Sequence, residues 1–197
     1  MYAATTSRDK MRELRALFAP FGWELDVFDA YVPPAEGQTS YGDNAALKAR
    51  ALAAQLRDAG VSSAAVVADD SGIEVDALGR RPGVLSARYA GEDAPWGTRL
   101  ATLLDELART GSPDRRGRFV CAMHFVGSGG EEFAVEGSVE GEIAHSPRGH
   151  GGFGYDPIFY YPPLARAFAE LTAEEKNAVS HRARAARALA TRVLRPE

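Results

Sequence analysis

One short stretch constrains the fold more than any other: an apolar run, residues 64–68, stops abruptly at Asp69 and Asp70, which Ser71 and Gly72 follow. The run has the length and β-branched content of a buried strand, and the hydroxyl and glycine predict the turn that ends it. Successive strand side chains point to opposite faces, so a strand that ran straight through would keep the two carboxylates from chelating one ion together. The two acids either cap the strand end or hold a hard cation there, and the stretch alone leaves both interpretations open.

Composition bounds the class of protein. The 197 residues suffice for one domain with a full core, or for two lobes that share a cleft. A formal net charge of -4 argues against a large basic surface for nucleic acid but leaves room for a small basic pocket. The single cysteine, Cys121, indicates a reducing compartment, and we recognise neither an export signal nor an apolar stretch that could span a membrane. We therefore expect a cytoplasmic protein that binds neither nucleic acid nor membrane.

The N-terminal region predicts a strand over residues 1–5, a hydroxyl-rich turn, and a helix from residue 9 or 10 to 18. Helix N-termini favour anions, so the turn from Thr5 to Lys10 is a possible phosphate cradle, with a solvated lysine as the alternative. A second strand is predicted over residues 23–28. A loop is predicted over residues 31–41, and its only acid is Glu36.

An alanine-rich helix is predicted over residues 42–59. Asn44 and Lys48 share one face of it, which looks either to solvent or into a cleft. Further along the chain we predict a structured loop over 80–91, a helix over 94–107, and two strands over 119–126 and 132–143 joined by a glycine-rich hairpin.

Residues 149–154 contain three spaced glycines in the pattern of a dinucleotide-binding loop. They lead into Tyr155 and Asp156 instead of opening a helix, so we reject that match. A glycine loop that ends in an aromatic ring and a carboxylate is better suited to close approach to a flat ligand. The alternative, a mobile surface loop, is less favoured because the aromatic residues from Phe153 to Tyr161 need burial.

The C-terminal region begins with a capping-box pattern at Thr172 and carries Lys176. Ser180 can cap a second, longer helix, which places His181 and Arg182 in its first turn. Positive charge there opposes the helix dipole, and a bound anion would relieve that conflict. The alternative is that both side chains extend into water.

Phosphoryl chemistry would explain why basic groups from distant parts of the chain accompany an acidic strand end. Positive side chains and helix amides bind phosphates, while carboxylates hold magnesium and polarise a water. The sequence contains no Walker-type phosphate loop, no serine-histidine-aspartate elbow and no spacing suited to a zinc site.

Several short motifs follow one another in a specific order. They are Thr5 to Lys10; Asn44-Ala45 with Lys48-Ala49; residues 68–72 with Glu74-Val75; Pro82-Gly83 with residues 86–89; residues 151–157 with Phe159; and residues 175–177 with 180–182. They are spread from residue 5 to residue 182 and resemble the inosine triphosphate pyrophosphatases, also called XTP/dITP diphosphatases, over nearly the whole chain. The first motif departs from the usual Thr-x-Asn-x-x-Lys of that family, since Ser7 stands at the asparagine position and Asp9 adds a negative charge.

The resemblance implies hydrolysis of ITP, dITP or XTP between the α and β phosphates, giving a nucleoside monophosphate and pyrophosphate. It implies a magnesium-dependent homodimer with a mixed α/β fold, in which an elongated central sheet is flanked by helices. A single domain over residues 1–197, with no separable linker, would form two lobes with a nucleotide cleft between them.

By the same resemblance, Asp70 is the general base and a magnesium ligand, with Glu36 and Asp69 as further acidic ligands. The implied phosphate contacts are Thr5, Ser7, Lys10, Lys48 and Ser71. Phe153 stacks on the base, and the other implied substrate-binding residues are Gly154, Tyr155, Asp156, Lys176, His181 and Arg182.

Two other functions stay open at this point. One is a pyrophosphatase for other modified nucleotides. The other is a nucleotide-binding regulatory protein whose activity is weakened by the changes at Ser7 and Asp9. A site that hydrogen-bonds a six-keto base would reject adenine, because its buried groups would then lack partners.

Overall fold

The computed structural model describes residues 1–61 and 63–194. Its helices are α1 (Arg8–Phe18), α2 (Tyr41–Asp58), α3 (Trp96–Arg109), α4 (Ala173–Val179) and α5 (His181–Val193). Its strands are β1 (Tyr2–Ala3), β2 (Val66–Val75), β3 (Arg81–Pro82), β4 (Arg116–Val126), β5 (Glu132–Ile143), β6 (Phe159–Tyr161) and β7 (Arg166–Ala167). None of the helices in these two ranges is long and apolar enough to cross a membrane.

The strands form a mixed sheet in the order β1-β2-β4-β5-β6-β7, with β3 pairing β2 outside this order. β1 runs parallel to β2, with Tyr2 opposite Val66, whereas β3, β6 and β7 pair antiparallel with their neighbours. The glycine-rich hairpin is confirmed, since Gly127 N–H donates to the Glu131 carbonyl at 2.8 Å. The predicted class, a mixed α/β fold with a central sheet flanked by helices, is confirmed.

The chain divides into two compact units. The first comprises Met1–Asp70, Cys121–Gly137 and the residues from His181 onward, and the second comprises Ser71–Val120 and Ser138–Ser180. In the first unit, α1 packs its apolar stripe against the alanine-rich face of α5, around Leu14, Phe18 and Leu189. A second cluster in this unit joins α2 to the first strands through Leu52, Leu56 and their neighbours.

Gly137 sets how closely α5 approaches β5 in the first unit. A Cβ atom at Gly137 would lie 2.4 Å from the Ala185 nitrogen and 2.6 Å from the His181 oxygen. Both are backbone atoms of α5 that cannot swing away, so any larger residue would push the start of the helix from the strand.

The core of the second unit is built from the leucines of α3 and a group of aromatic rings. The rings of Phe119 and Phe159 lie 4.5 Å apart between centroids, and Phe168 stacks beside them. The expectation that the aromatic segment after the glycine loop needs burial is confirmed, since Tyr155, Ile158 and Phe159 are buried.

Two local predictions are wrong. β2 does not stop at a turn after Asp70 but continues through Ser71 and Gly72 to Val75. The sheet overrides the turn preference of these residues, because Ile73 N–H donates to Ser86 Oγ at 2.9 Å and the strand end pairs with β3.

The predicted strand over residues 23–28 is also absent from the described residues. Only an isolated bridge joins Asp26 to Tyr2. Asp26 N–H donates to the Met1 carbonyl at 2.8 Å, and the Asp26 carbonyl accepts from the Ala3 N–H at 3.0 Å. The Trp23 ring packs on Phe18 and Phe125, at centroid distances of 5.2 and 6.0 Å, and helps to hold the segment in place.

Candidate active site

The two adjacent carboxylates of β2 meet different basic partners. Asp69 Oδ2 lies 3.2 Å from Lys10 Nζ and accepts a hydrogen bond from Arg182 Nε at 3.2 Å. Asp70 Oδ1 instead accepts from Lys48 Nζ at 3.2 Å. Because β2 runs straight through, these side chains leave opposite faces of the strand. The expectation that a continuous strand places the two acids in different environments is confirmed.

Helix α2 holds the Asp70 carboxylate with two side chains one turn apart. Asn44 Nδ2 donates to Asp70 Oδ2 at 3.0 Å, and Lys48 binds the other oxygen. Asn44 is 2% and Lys48 7% exposed, so the polar pair within the alanine-rich helix faces inward and the solvent interpretation is wrong. The helix begins where Ser40 Oγ accepts the Asp43 N–H at 3.2 Å, an N-cap that fixes the start of the first turn.

The loop before α2 brings a second carboxylate to the same ammonium. Glu36 Oε1 accepts from Lys48 Nζ at 2.8 Å, and Asn44 Oδ1 accepts the N–H of Gly37 at 2.8 Å. Burial lowers the pKa of Lys48, but the negative charges of Asp70, Asp69 and Glu36 outweigh it and raise the pKa above the ordinary lysine value. One charged ammonium is therefore shared by Glu36 and Asp70.

Asp69 lies in a buried charge network. Burial alone raises the pKa of its carboxyl, but the charges of Lys10, Arg182 and Lys48 outweigh that effect and hold the pKa well below the usual range. Arg182 also donates to Glu13 Oε2 at 2.5 Å. Asp69 Oδ1 has no hydrogen-bond partner in the part of the chain that the structure describes.

The first turn of α5 is buried and does not extend into water. His181 is 4% and Arg182 2% exposed, so the solvated interpretation is wrong. The positive charge of Arg182, unfavourable at a helix N-terminus, is compensated by the carboxylates of Glu13 and Asp69. The sequence predicted that a bound anion would relieve the unfavourable charge in this turn. At Arg182 the protein's own carboxylates, those of Glu13 and Asp69, supply that negative charge.

The turn from Thr5 to Lys10 leads into α1 as predicted. Ser7 is the N-cap, and its Oγ accepts the Lys10 N–H at 3.3 Å, while Thr5 Oγ1 accepts the Ser7 N–H at 3.1 Å. A cavity of about 140 Å³ opens at this turn. Its lining residues are Ala4, Thr5, Thr6, Ser7, Lys10, Tyr31, Pro33, Glu36 and Lys48.

The structure thus gathers around one cavity most of the residues implied as phosphate contacts, together with Glu36. Ser71 follows Asp70 in β2 and is half-buried. In residues 1–61 and 63–194, no group of three or more histidine, cysteine or acidic side chains is arranged to hold a metal ion.

In the second unit, the glycine loop is organised around Asp156. Asp156 Oδ2 accepts the Phe153 N–H at 2.8 Å and forms a buried ion pair with Lys176. The Lys176 ammonium also lies 4.7 Å from the centroid of the Phe153 ring. Gly152 has φ +64°, and a Cβ atom there would lie 2.1 Å from Asp156 Oδ2, so only glycine fits at this point of the loop.

The next residues of the loop are anchored elsewhere in the second unit. Tyr155 Oη donates to the Ser86 carbonyl at 3.0 Å, and burial raises the pKa of this phenol. Gly154, at φ +65°, lies against the indole of Trp96. Ser86 belongs to the Pro82–Tyr89 motif and, through Ile73, fixes the end of β2 as well.

Sequence reasoning missed three residues near these clusters. Glu13 stands three residues after Lys10 on α1, and that helical spacing was the signal that both face the same way. Tyr31 lines the cavity, and its buried hydroxyl has no hydrogen-bond partner in the described ranges. Trp96 gave no signal beyond its size.

Fold and site together define a class: a mixed α/β protein in which carboxylates and lysines meet at a hydroxyl-rich helix N-terminus. The model of the Ham1 family matches residues 1–192. This chain therefore belongs to the Ham1 family.

Comparisons with known sequences and solved structures support that assignment. The chain is 47% identical over 186 residues to the dITP/XTP pyrophosphatase of Geobacillus kaustophilus, which covers 92% of this chain and 88% of that protein. The structure of a HAM1 protein from Coxiella burnetii superposes with a TM-score of 0.82 at 35% identity, covering 98% of this chain and 96% of that one. The nucleoside-triphosphatase, or dITP/XTP pyrophosphatase, of Mycobacterium abscessus gives 0.69 at 40% identity, covering 95% and 96%. The resemblance inferred from the ordered motifs is confirmed.

Proposed function

We propose that this chain hydrolyses the non-standard purine nucleoside triphosphates dITP, ITP and XTP to the monophosphate and pyrophosphate, and so clears them from the nucleotide pool. The observation that carries the proposal is the Lys48 ammonium shared by Glu36 and Asp70 beside the cavity at the Thr5 to Lys10 turn. The names of the relatives support the substrate class.

The residues at this cavity fit a magnesium ion. Magnesium prefers oxygen ligands and is usually held by one or two carboxylates together with substrate phosphates. Glu36 and Asp70 contact one and the same ammonium, and we assign their two carboxylates as the groups that would hold the ion. Asp69 leaves the other face of β2 and pairs with Lys10 and Arg182, so we assign it an electrostatic role there. When bound, the ion supplies neutralisation of phosphate charge and a lowered pKa of a coordinated water.

The chain's own residues then perform the proton transfer. Asp70 takes a proton from a water whose oxygen attacks the α-phosphorus, and the bond from that phosphorus to the oxygen bridging the α and β phosphates breaks. Pyrophosphate leaves with the electron pair of that bond. Asn44 holds the Asp70 carboxylate in one orientation, and the side chains of Lys10 and Lys48 compensate the charge of the phosphates.

We assign the base to the residues of the glycine loop and to Lys176. The Phe153 ring stacks on the purine, and the buried Asp156–Lys176 pair offers an acceptor and a donor to polar groups at its edge. From the resemblance we also propose that the chain forms a homodimer and that further residues bind the substrate, namely Ser71, Gly154, Tyr155, His181 and Arg182. The lone cysteine motivates the proposal of a cytoplasmic location.

The test is a substrate panel. Purified protein is incubated with dITP, ITP, XTP, GTP and ATP in magnesium, and pyrophosphate and orthophosphate are measured separately. We expect pyrophosphate as the product and much faster turnover of the first three substrates. Orthophosphate alone, or equal rates on ATP and ITP, would overturn the proposal. Calorimetric binding of ITP without magnesium-stimulated hydrolysis would favour a regulatory protein instead, and faster turnover of other modified nucleotides would favour a different pyrophosphatase.

A further inference from the structure

Trp96, the first residue of α3, is partly exposed to solvent. The side chain is 40% exposed, whereas the chain's other tryptophan, Trp23, is packed between Phe18 and Phe125. A single exposed apolar residue is common on protein surfaces and needs no explanation by itself. The surroundings of Trp96 are what set it apart.

The indole is held in place from several sides within the second unit. The Arg99 guanidinium lies 4.9 Å from the centroid of the ring, and Arg99 Nη2 is itself fixed by the Gly91 and Glu92 carbonyls at 3.2 and 2.8 Å. The Tyr155 ring meets the indole in an edge-to-face arrangement at 5.4 Å. Ordering a large exposed side chain costs conformational entropy, and here that cost is met by contacts to buried residues.

Trp96 touches the loop that carries the proposed base-stacking residue. A Cβ atom at Gly154 would lie 3.5 Å from the nearest carbon of the indole, and Gly154 directly follows Phe153. Gly154 has φ +65°, a conformation that glycine adopts at little cost, so the backbone at this point is shaped to lie against the ring. A well-held, partly exposed indole thus lies beside the loop of Phe153, Gly154 and Tyr155.

We propose that the exposed indole of Trp96 contacts the purine base and contributes to its binding. The inference rests on the proposed function, because it takes the loop of Phe153 as the place where the base binds. Pre-ordered aromatic faces bind flat ligands with little loss of rotamer freedom, and stacking on such a face tolerates different bases. Trp96 therefore contributes affinity for the nucleoside part of the substrate and nothing to its phosphates.

The test compares ligands with and without a base. Affinities for ITP and for inorganic pyrophosphate are measured by calorimetry, and tryptophan fluorescence is followed in the same titrations, in magnesium, with Asp70→Asn as the background that prevents turnover. The variants are Trp96→Leu and, as the matched control, Trp23→Phe. Removing the indole is expected to weaken ITP about tenfold or more and to leave pyrophosphate within about twofold. ITP, but not pyrophosphate, should change the fluorescence in the Trp23→Phe control, and Trp96→Leu should abolish that change.

Three results would overturn the inference: ITP affinity of Trp96→Leu within about threefold of the background, equal weakening of ITP and pyrophosphate, or an ITP-induced fluorescence change that survives in Trp96→Leu. If Trp96→Leu is too unstable to measure, Trp96→Phe with the same fluorescence readout replaces it. The proposed function is judged separately by the substrate panel. A chain that hydrolyses dITP yet gives any of these results retains its proposed activity and loses only the role of Trp96.

Discussion

Asn44 Nδ2 lies 3.0 Å from Asp70 Oδ2, and the Lys48 ammonium, one turn further along α2, lies 3.2 Å from Asp70 Oδ1. Each oxygen of this carboxylate is thus bound by a different residue of one helix. A carboxylate held at both oxygens cannot rotate freely, which is what a base with a defined direction of proton transfer requires. The same asparagine also fixes Gly37, beside the second acidic residue of the site.

Asp70→Asn is expected to lower turnover of dITP by about a hundredfold to ten-thousandfold, because an amide cannot take the proton of the attacking water. The amide has nearly the same shape but is a weaker magnesium ligand, so at saturating magnesium dITP should bind within a few-fold of the wild-type affinity. Steady-state kinetics and calorimetry measure the two effects. Asp58→Asn, an exposed substitution at the last residue of α2, is the control and should change neither. Unchanged turnover would remove Asp70 from the role of base.

Asn44→Leu is expected to lower both stability and turnover, because it leaves the Gly37 N–H and one Asp70 oxygen without their partner. The loss of unfolding free energy should be about 1–3 kcal/mol. Gln55→Leu is the matched control, since Gln55 makes a comparable pair of amide hydrogen bonds to Val32, at 2.9 and 2.8 Å, and neither of them involves Asp70. Urea unfolding and dITP turnover should show a loss of stability in both variants and a loss of turnover only in Asn44→Leu. Equal turnover in the two variants would contradict a role of Asn44 in orienting the base.

Glu36→Gln is expected to raise the magnesium concentration needed for half-maximal activity about tenfold or more, since one of two charged oxygen ligands is lost. The glutamine oxygen can still accept from Lys48, so the loop should keep its position. Activity is titrated with magnesium after chelation and dialysis, and Glu24→Gln, an exposed change in the same unit, serves as the control. A magnesium requirement equal to that of wild type would mean that Glu36 does not hold the ion.

Because of Asp69, the free energy of unfolding should decrease as the pH falls below about 4. Burial raises the pKa of its carboxyl, but the charges of Lys10, Arg182 and Lys48 outweigh burial and keep the folded-state pKa below the usual value of about 3.9. The stabilisation is therefore fully present above about pH 4 and is lost as the pH falls towards the folded-state pKa. Urea unfolding of wild type and Asp69→Asn should show a large gap in unfolding free energy at pH 7 that narrows below pH 4. If wild type and Asp69→Asn differed in unfolding free energy by the same amount at pH 7 and below pH 4, the stabilising role of the ionised Asp69 carboxylate would be contradicted.

The sequence predicted the parts of this fold that depend on local periodicity. The stripe of α1, the hairpin between β4 and β5 and the shared face of Asn44 and Lys48 all follow from spacing along the chain. The unequal environments of Asp69 and Asp70 followed from strand alternation, although the strand was expected to end there. Local rules suffice for these features because the partners are neighbours in sequence or on one helix.

Features that depend on distant partners could not be predicted in the same way. Arg182 and Glu13 are 169 residues apart, and nothing in the composition of α5 indicates that its first turn is neutralised by α1. The segment at residues 23–28 alternates like a strand but forms an isolated bridge at Asp26, beside the packed ring of Trp23. β2 passes through a turn-like sequence because neighbouring strands and Ser86 take up its backbone groups. In each case tertiary contacts outweigh local preference.

The central claim is that a water attacks the α-phosphorus of the triphosphate, so that pyrophosphate is the leaving group. Hydrolysis of dITP in water enriched in oxygen-18, followed by mass spectrometry of the two products after one turnover, tests it most directly. The account predicts that the label enters the nucleoside monophosphate and that pyrophosphate carries none. Label in the pyrophosphate would place the attack on the β-phosphorus and contradict the account.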